Sequence, residues 1–278
     1  MNHACKFAAM TILIRKTLLP LLLLTGIMAC NQGEKEDKQV ITDPAGAEKQ
    51  LRSAVTNHPD SLLLREKLIQ YYRENGEYEQ ALAASDELLK KDSLNARFWD
   101  ISATLYFENA DTLKAIHAFE KAVSILPEPE YLMSLGSLYA QTKNPKALAV
   151  AGLLARAAGG KTEKEALFIE GLYHSYTGEK EKAISFFDQC LKMEYTFMPA
   201  YLEKGIALYD QSKYEEAIGV LGRAVTLQNN FAEGYYWQGR CFEKLNKSAG
   251  AAEAYHTALL YDPEYAEAKD GLSRLGVK

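Results

Sequence analysis

An all-α solenoid of stacked helix pairs is the fold this sequence predicts, on three observations. Residues of one character recur every 34 positions, small side chains hold two fixed places in each period, and the composition favours helix. Ala, Leu, Glu, Lys and Tyr abound, whereas Gly (18) and Pro (8) are modest in 278 residues, a balance that suits helix over sheet. At 47% hydrophobic and 25% charged the chain is globular in composition.

Steps of 34 from Pro59 reach Ser93, Pro127, Lys161, Tyr195, Asn229 and Pro263, each in a short polar turn after a helical stretch. Ala47, Ala81, Ala115, Ala183, Ala217 and Ala251 share the period with one gap, and so do Gly171, Gly205 and Gly239. Within a period the first helix carries a large residue, then Leu-Gly, then Tyr, as in Leu132, Leu135-Gly136 and Tyr139. Later periods offer Tyr201 with Gly205 and Tyr235 with Gly239. The turn carries Gly76-Glu77-Tyr78, with Gly178 and Tyr214 standing alone. The second helix repeats a small, bulky, small pattern: Ala115-Phe119-Ala122, Ala217-Leu221-Ala224, Ala251-Tyr255-Ala258, and Ala183-Phe187-Cys190 with a thiol in the last place. Small residues let two helices approach closely, and the bulky one fills the space beside them.

These residues resemble the tetratricopeptide repeat family over nearly the whole chain after its first forty residues. The resemblance implies a right-handed superhelical solenoid that binds other proteins. The elements then follow in order. Residues 44–58 form a lone second helix, with Ala47, Leu51 and Ala54 in phase. Six helix pairs occupy about 62–95, 96–129, 130–163, 164–197, 198–231 and 232–265, and residues 266–278 form a capping helix with Glu267, Lys269 and Arg274 on a solvated face. A solenoid needs such caps because its inner repeats expose apolar faces. The third pair departs from the frame: Leu135-Gly136 comes one residue early, and Ala147 or Ala149 could be its small residue. We expect a one-residue shift across the Thr142 to Lys146 turn, balanced at Gly159-Gly160.

The first 29 residues read as an export signal. Arg15 and Lys16 precede an apolar run from Thr17 to Ala29 that contains Pro20, too short to span a bilayer but suited to a signal core. Met10 is an alternative start. Ile27-Met28-Ala29-Cys30 resembles the lipobox of bacterial lipoproteins, with Met28 unusual at its place. The resemblance implies acylation (palmitate among the chains) at Cys30, and two or more chains anchor a protein stably. An ordinary signal with a chance cysteine, or an uncleaved anchor, is the competing reading. Residues 30–43 are polar without periodicity and read as a disordered tether. Asn31 replaces the aspartate that retains such lipoproteins at the inner membrane, which implies the outer membrane, on its periplasmic or surface face.

The formal charge is −5; without the three basic residues of the signal, 29 basic stand against 37 acidic residues, or −8. That sign repels phosphate backbones, so no nucleic acid is expected as partner. Residues 155–162 (Ala-Arg-Ala-Ala-Gly-Gly-Lys-Thr) match a loose phosphate-binding loop, but a helix precedes them where a strand is required, so no nucleotide is expected. His3, His58, His117, His174 and His256 show no metal-ligand spacing, and His174 takes a packing place usually held by Tyr. Cys190 and Cys241 lie two repeats apart, too far to bridge, and read as buried packing residues. No catalytic residues, cofactor or metal are expected, and the chain reads as no enzyme.

In this family the first helix of each pair lines a concave groove. Its exposed places here hold Phe107, Met133, Phe168, Leu172, Tyr176, Leu202, Ile206, Tyr209 and Tyr236, with Glu66, Asp100, Glu108, Glu130, Glu165, Asp210 and Glu233 around them and Arg73, Arg97 and Arg240 interspersed. An apolar groove rimmed by acids suits a peptide or amphipathic helix with apolar anchors and basic flanks. Tight winding would instead bury some of these side chains as core. The carboxylate clamp of chaperone-binding members is absent, because Glu66 and Gln70 stand where its first Lys and Asn belong. An envelope scaffold or assembly factor is therefore expected. The alternatives are a receptor for a small molecule or glycan, disfavoured because Trp99 and Trp237 fall at packing places, or an adaptor for an envelope protease.

Overall fold

The computed structural model describes residues 44–156 and 162–276. The signal, Cys30, the tether and residues 157–161 of the loop-like segment lie outside them. The described residues form fourteen helices and no strand. They are α1 (Pro44–Asn57), α2 (Leu62–Glu74), α3 (Tyr78–Lys91), α4 (Ala96–Glu108), α5 (Thr112–Ile125), α6 (Pro129–Gln141), α7 (Lys146–Arg156), α8 (Glu163–Thr177), α9 (Lys180–Met193), α10 (Met198–Asp210), α11 (Tyr214–Leu227), α12 (Ala232–Lys244), α13 (Ser248–Tyr261) and α14 (Ala266–Arg274). They fall into two compact units, one ending at Pro127 and one beginning at Glu128.

One turn geometry recurs inside every pair. Gly76, Ala110, Lys143, Gly178, Ser212 and Asn246 all have positive φ, between 57° and 96°. The next residue's N–H then reaches back five residues to a helix carbonyl: Glu77 to Tyr72, Asp111 to Tyr106, Asn144 to Tyr139, Glu179 to His174, Lys213 to Leu208 and Lys247 to Phe242, all at 2.8–2.9 Å. This left-handed cap satisfies carbonyls that the helix end leaves open. Only two of the six positions are glycine, which explains why a Gly-based reading finds the turn so unevenly. Helix starts are fixed by Asn95, whose side chain accepts from Arg97 N–H at 3.1 Å, by Asp111, which accepts from Lys114 N–H at 3.1 Å, and by Pro129 in the first turn of α6.

Close packing within a pair follows from the small residues. A Cβ on Gly171 would stand 2.5 Å from the Phe187 ring, and one on Gly205 would stand 2.7 Å from Leu221. Neither contact is sterically allowed, so the bulky second-helix residue sits where only glycine leaves room. Phe119, Phe187, Leu221 and Tyr255 are wholly buried, as are Ala115, Ala183, Ala217 and Ala251. In the unit up to Pro127, α1 lays Leu51 and Val55 on a core of Leu68, Ile69, Tyr72, Leu88 and Phe98. At the far end α14 buries Ala268 and Leu272 against the α12–α13 core.

The third pair shows where its shift lies. The linker at 126–128 has three residues where 92–95, 194–197, 228–231 and 262–265 have four. The turn at 142–145 has four where 75–77, 109–111, 211–213 and 245–247 have three. One residue is lost before α6, and the balance expected at Gly159-Gly160 falls outside the described residues. Ala147 is buried and Ala149 exposed, which makes Ala147 the small residue of α7.

Candidate functional site

The nine expected groove residues do not form an open apolar strip. Phe168, Leu172 and Leu202 are fully buried, and Ile206, Tyr236, Met133 and Phe107 keep only 3–7% of their surface. The Phe168 ring packs on Phe187 and Phe197 at 5.9 and 5.3 Å between centroids, so it is core. Leu202, Ile206 and Tyr236 join the α10–α14 core with Leu221, Trp237 and Tyr255. Tyr176 and Tyr209 alone among the nine are half-buried. The physical reason is helix crowding: Gly171, Gly205 and Gly239 draw each pair together, so the second helix and the linker after it cover first-helix side chains such as Phe168.

Four of the seven rim acids, Glu66, Glu108, Glu165 and Asp210, are paired inside the protein. Arg97 grips Glu66 through two hydrogen bonds of 2.9 and 2.8 Å, and Arg73 grips Glu108 through two more, with its Nε at 2.6 Å. Lys180 donates to Asp210 at 2.6 Å, Lys164 pairs with Glu194 and Glu165, and Arg274 bonds Glu243 at 3.0 and 3.3 Å. Gln70 is held by Glu74 at 2.7 Å, so the positions of the missing clamp are filled by one local pair and one pair to the adjacent repeat. Most of these partners stand 30 to 35 residues apart, one period. That separation of opposite charges was visible in the sequence and is the signal by which the ladder could have been read.

The most elaborate cluster on the first-helix face surrounds Arg240 of α12. Its guanidinium lies 5.4 Å from the Tyr209 ring, 5.8 Å from Tyr236 and 5.5 Å from Trp237. It donates to the Tyr236 hydroxyl at 2.8 Å and to the Tyr209 hydroxyl at 3.0 Å. Burial disfavours its charge, but the two hydroxyls and their field outweigh this and hold it protonated. Tyr209 also meets Tyr214 edge-on at 5.4 Å. The half-exposed Tyr209 ring is thereby fixed in place across two repeats.

A second feature was not foreseen. Glu203 of α10 is 3% exposed, and its Oε1 has no hydrogen-bond partner. Burial pushes its carboxyl up to about 7, against the favourable field of Lys180 and with the unfavourable one of Asp210. Lys180 itself spans Asp210 and the Ser175 hydroxyl, the latter at 3.2 Å. Nothing in the sequence around Glu203 marks it as buried, because acids on first helices are otherwise exposed or paired.

The remaining candidates are accounted for by packing. His174 is buried, stacks on Phe186 at 5.4 Å and bonds Glu179 at 3.0 Å; that acid partner was not expected. Cys190 and Cys241 are free and buried, and burial pushes both thiols up to about 12. Thr162 donates its hydroxyl to the Leu154 carbonyl at the end of α7. Among the described residues, no three His, Cys, Asp or Glu side chains stand together as metal ligands, and no helix is long and apolar enough to cross a membrane.

Comparisons with known proteins agree with this geometry. A family model described as tetratricopeptide repeat matches residues 41–96, 66–128 and 202–268, which is more than half of the chain. A second tetratricopeptide repeat model matches residues 164–196. No curated protein matches. Among solved structures, a tetratricopeptide repeat protein from Parabacteroides merdae superposes with a TM-score of 0.70 at 20% identity, covering 84% of this chain and 93% of that one. PilW, described as a widely conserved type IV pilus biogenesis factor, gives 0.56 at 20% identity, covering 75% and 97%. The Cut9–Hcn1 hetero-tetramer of APC/C gives 0.53 at 18% identity, covering 84% and 46%. At these identities the likeness is one of fold.

Proposed function

The chain belongs to the tetratricopeptide repeat family, and from that premise we propose that it is a non-catalytic protein-binding scaffold of the bacterial envelope. It is tethered by lipid at Cys30 and captures a partner segment on its first-helix face. The observation that carries the binding role is Tyr209, a half-exposed ring held in place by Arg240 and Tyr214. A rigid aromatic with an apolar body and a polar tip is the kind of anchor on which interfaces concentrate their energy. The envelope role is supported by the lipobox-like Cys30, and PilW shows that a pilus biogenesis factor is built on this fold. A non-catalytic reading is supported by thiols raised to about 12, which carry almost no thiolate at neutral pH.

The partner segment is read as apolar with a reduced need for basic flanks, because Glu66, Glu108 and Asp210 of the rim are already neutralised by Arg and Lys of neighbouring repeats. The test is in-cell crosslinking from Tyr176 and Tyr209, with a Tyr176→Ser, Tyr209→Ser variant that keeps its helical signal. Loss of one reproducibly captured envelope protein in that variant is the expected result. Capture unchanged in the folded variant would refute the site. Acyl labelling that persists in Cys30→Ala would refute the anchor.

A further inference from the structure

Wherever an aspartate in this chain is followed by serine or threonine, the next residue is leucine: Asp60-Ser61-Leu62, Asp92-Ser93-Leu94 and Asp111-Thr112-Leu113. All three tripeptides sit in turns at helix starts of the unit ending at Pro127. Their leucines are 45%, 78% and 81% exposed, and the last two are the most exposed large apolar side chains among the described residues. Where Ser-Leu occurs without a preceding aspartate inside α6, the leucines Leu135 and Leu138 are buried at 4% and 0%.

Local structure accounts for part of each tripeptide and leaves the rest. Ser61 accepts from Leu64 N–H at 3.4 Å, Asp92 accepts from Leu94 N–H at 3.0 Å, and Asp111 caps α5. Leu94 and Leu113 keep most of their surface in solvent, and Leu62 keeps nearly half. A single exposed leucine needs no account, but the same residue thrice, always behind an acid and a hydroxyl, implies a reader outside the chain. The turns are accessible to one. Asp60 and Asp92 lie in neighbouring turns, joined by Lys91, whose Nζ meets the Pro59 carbonyl at 2.6 Å and Asp60 at 3.4 Å. The Ser93 hydroxyl is exposed and makes no hydrogen bond among the described residues.

We infer that Ser61, Ser93 and Thr112 are O-glycosylation sites, recognised as Asp-Ser/Thr-Leu by an apolar pocket for the leucine and a basic group for the aspartate. The hydroxyl oxygen attacks the anomeric carbon of a glycosyl diphosphate. The new carbon–oxygen bond replaces the one to diphosphate, which leaves with its electron pair, and the hydroxyl proton passes to a base of the transferase. A sugar suits these turns better than a phosphate. It adds no charge beside the aspartate, where a phosphate dianion would be repelled, and it meets an exposed hydroxyl at Ser93 and half-exposed residues at Ser61 and Thr112. At Ser61 the glycosidic oxygen keeps the lone pair that accepts from Leu64. The choice of donor rests on the export reading above, since an exported chain meets lipid-borne glycosyl diphosphates rather than ATP.

The test is mass spectrometry of the full chain from the cells in which it naturally occurs, with acylation and membrane fraction read on the same sample. A hexose-class or larger sugar mass is expected on the peptides containing Ser61, Ser93 and Thr112. Leu94→Ala, a change at an exposed side chain, should strip the sugar from Ser93 and leave the other two sites. Acylated, membrane-bound chain with three bare peptides overturns the inference alone. Bare, non-acylated chain in the soluble fraction overturns the export reading and this inference with it. A phosphate mass at these residues, or a sugar that survives Leu94→Ala, also overturns it.

Discussion

Replacing Glu203 by Gln should make the protein more stable, and only above mildly acidic pH. The carboxyl is buried in α10 with Oε1 unpartnered, and burial raises it from 4.5 to about 7. Because the folded state holds this proton more tightly than the unfolded chain, its stabilising contribution is complete below pH 4.5. It is lost as pH rises through about 7. At about 1.4 kcal/mol for each tenfold change in proton affinity, the charged carboxylate costs the fold on the order of 3 kcal/mol at pH 8. Gln keeps the shape without the charge, so the variant escapes that loss. The assay is urea unfolding of wild type and Glu203→Gln by helical circular dichroism from pH 4 to 8.5. Other titrating groups cancel in the difference between the two proteins. The variant should match wild type near pH 4 and gain steadily to pH 8. A difference that is the same at both ends, or that favours wild type at pH 8, would refute the reasoning.

Gly205→Ala places a methyl 2.7 Å from Leu221, so we expect a loss of about 1–3 kcal/mol from overpacking, read as a lowered unfolding midpoint. Ala110→Gly relieves a left-handed alanine at φ 60° and should raise thermal stability by about 0.5–1 kcal/mol, the left-handed strain outweighing glycine's entropy. Cys190 and Cys241 should resist alkylation in the folded protein at pH 8 and react once it is unfolded in urea, since burial pushes both thiols to about 12. Labelling of either at the rate of a free thiol would contradict their burial.

The fold was legible because its determinants are local and periodic. Ala115, Ala183, Ala217 and Ala251, with Phe119, Phe187, Leu221 and Tyr255, encode close helix pairs through size alone. The recurring linker lengths set where each pair begins. The intra-pair turn was half legible: Gly76 and Gly178 announce a left-handed residue, but Ala110, Lys143, Ser212 and Asn246 adopt it because the next N–H gains a helix carbonyl.

The binding face was not legible in the same way. Which first-helix side chain is groove and which is core depends on how closely the surrounding helices and linkers approach it. Position within a repeat does not contain that distance. Phe168 reads as an exposed anchor by position and is packed between Phe187 and Phe197 by geometry. Glu66 and Glu108 read as a free acidic rim and are each gripped by an arginine from the adjacent repeat. Periodicity within one chain therefore determined the helices, their pairing and their small-residue contacts. Tertiary structure alone decided that Glu203 is buried, that Arg240 pins Tyr209, and that little of the expected apolar strip reaches solvent, because each depends on three-dimensional packing that position in a repeat does not contain.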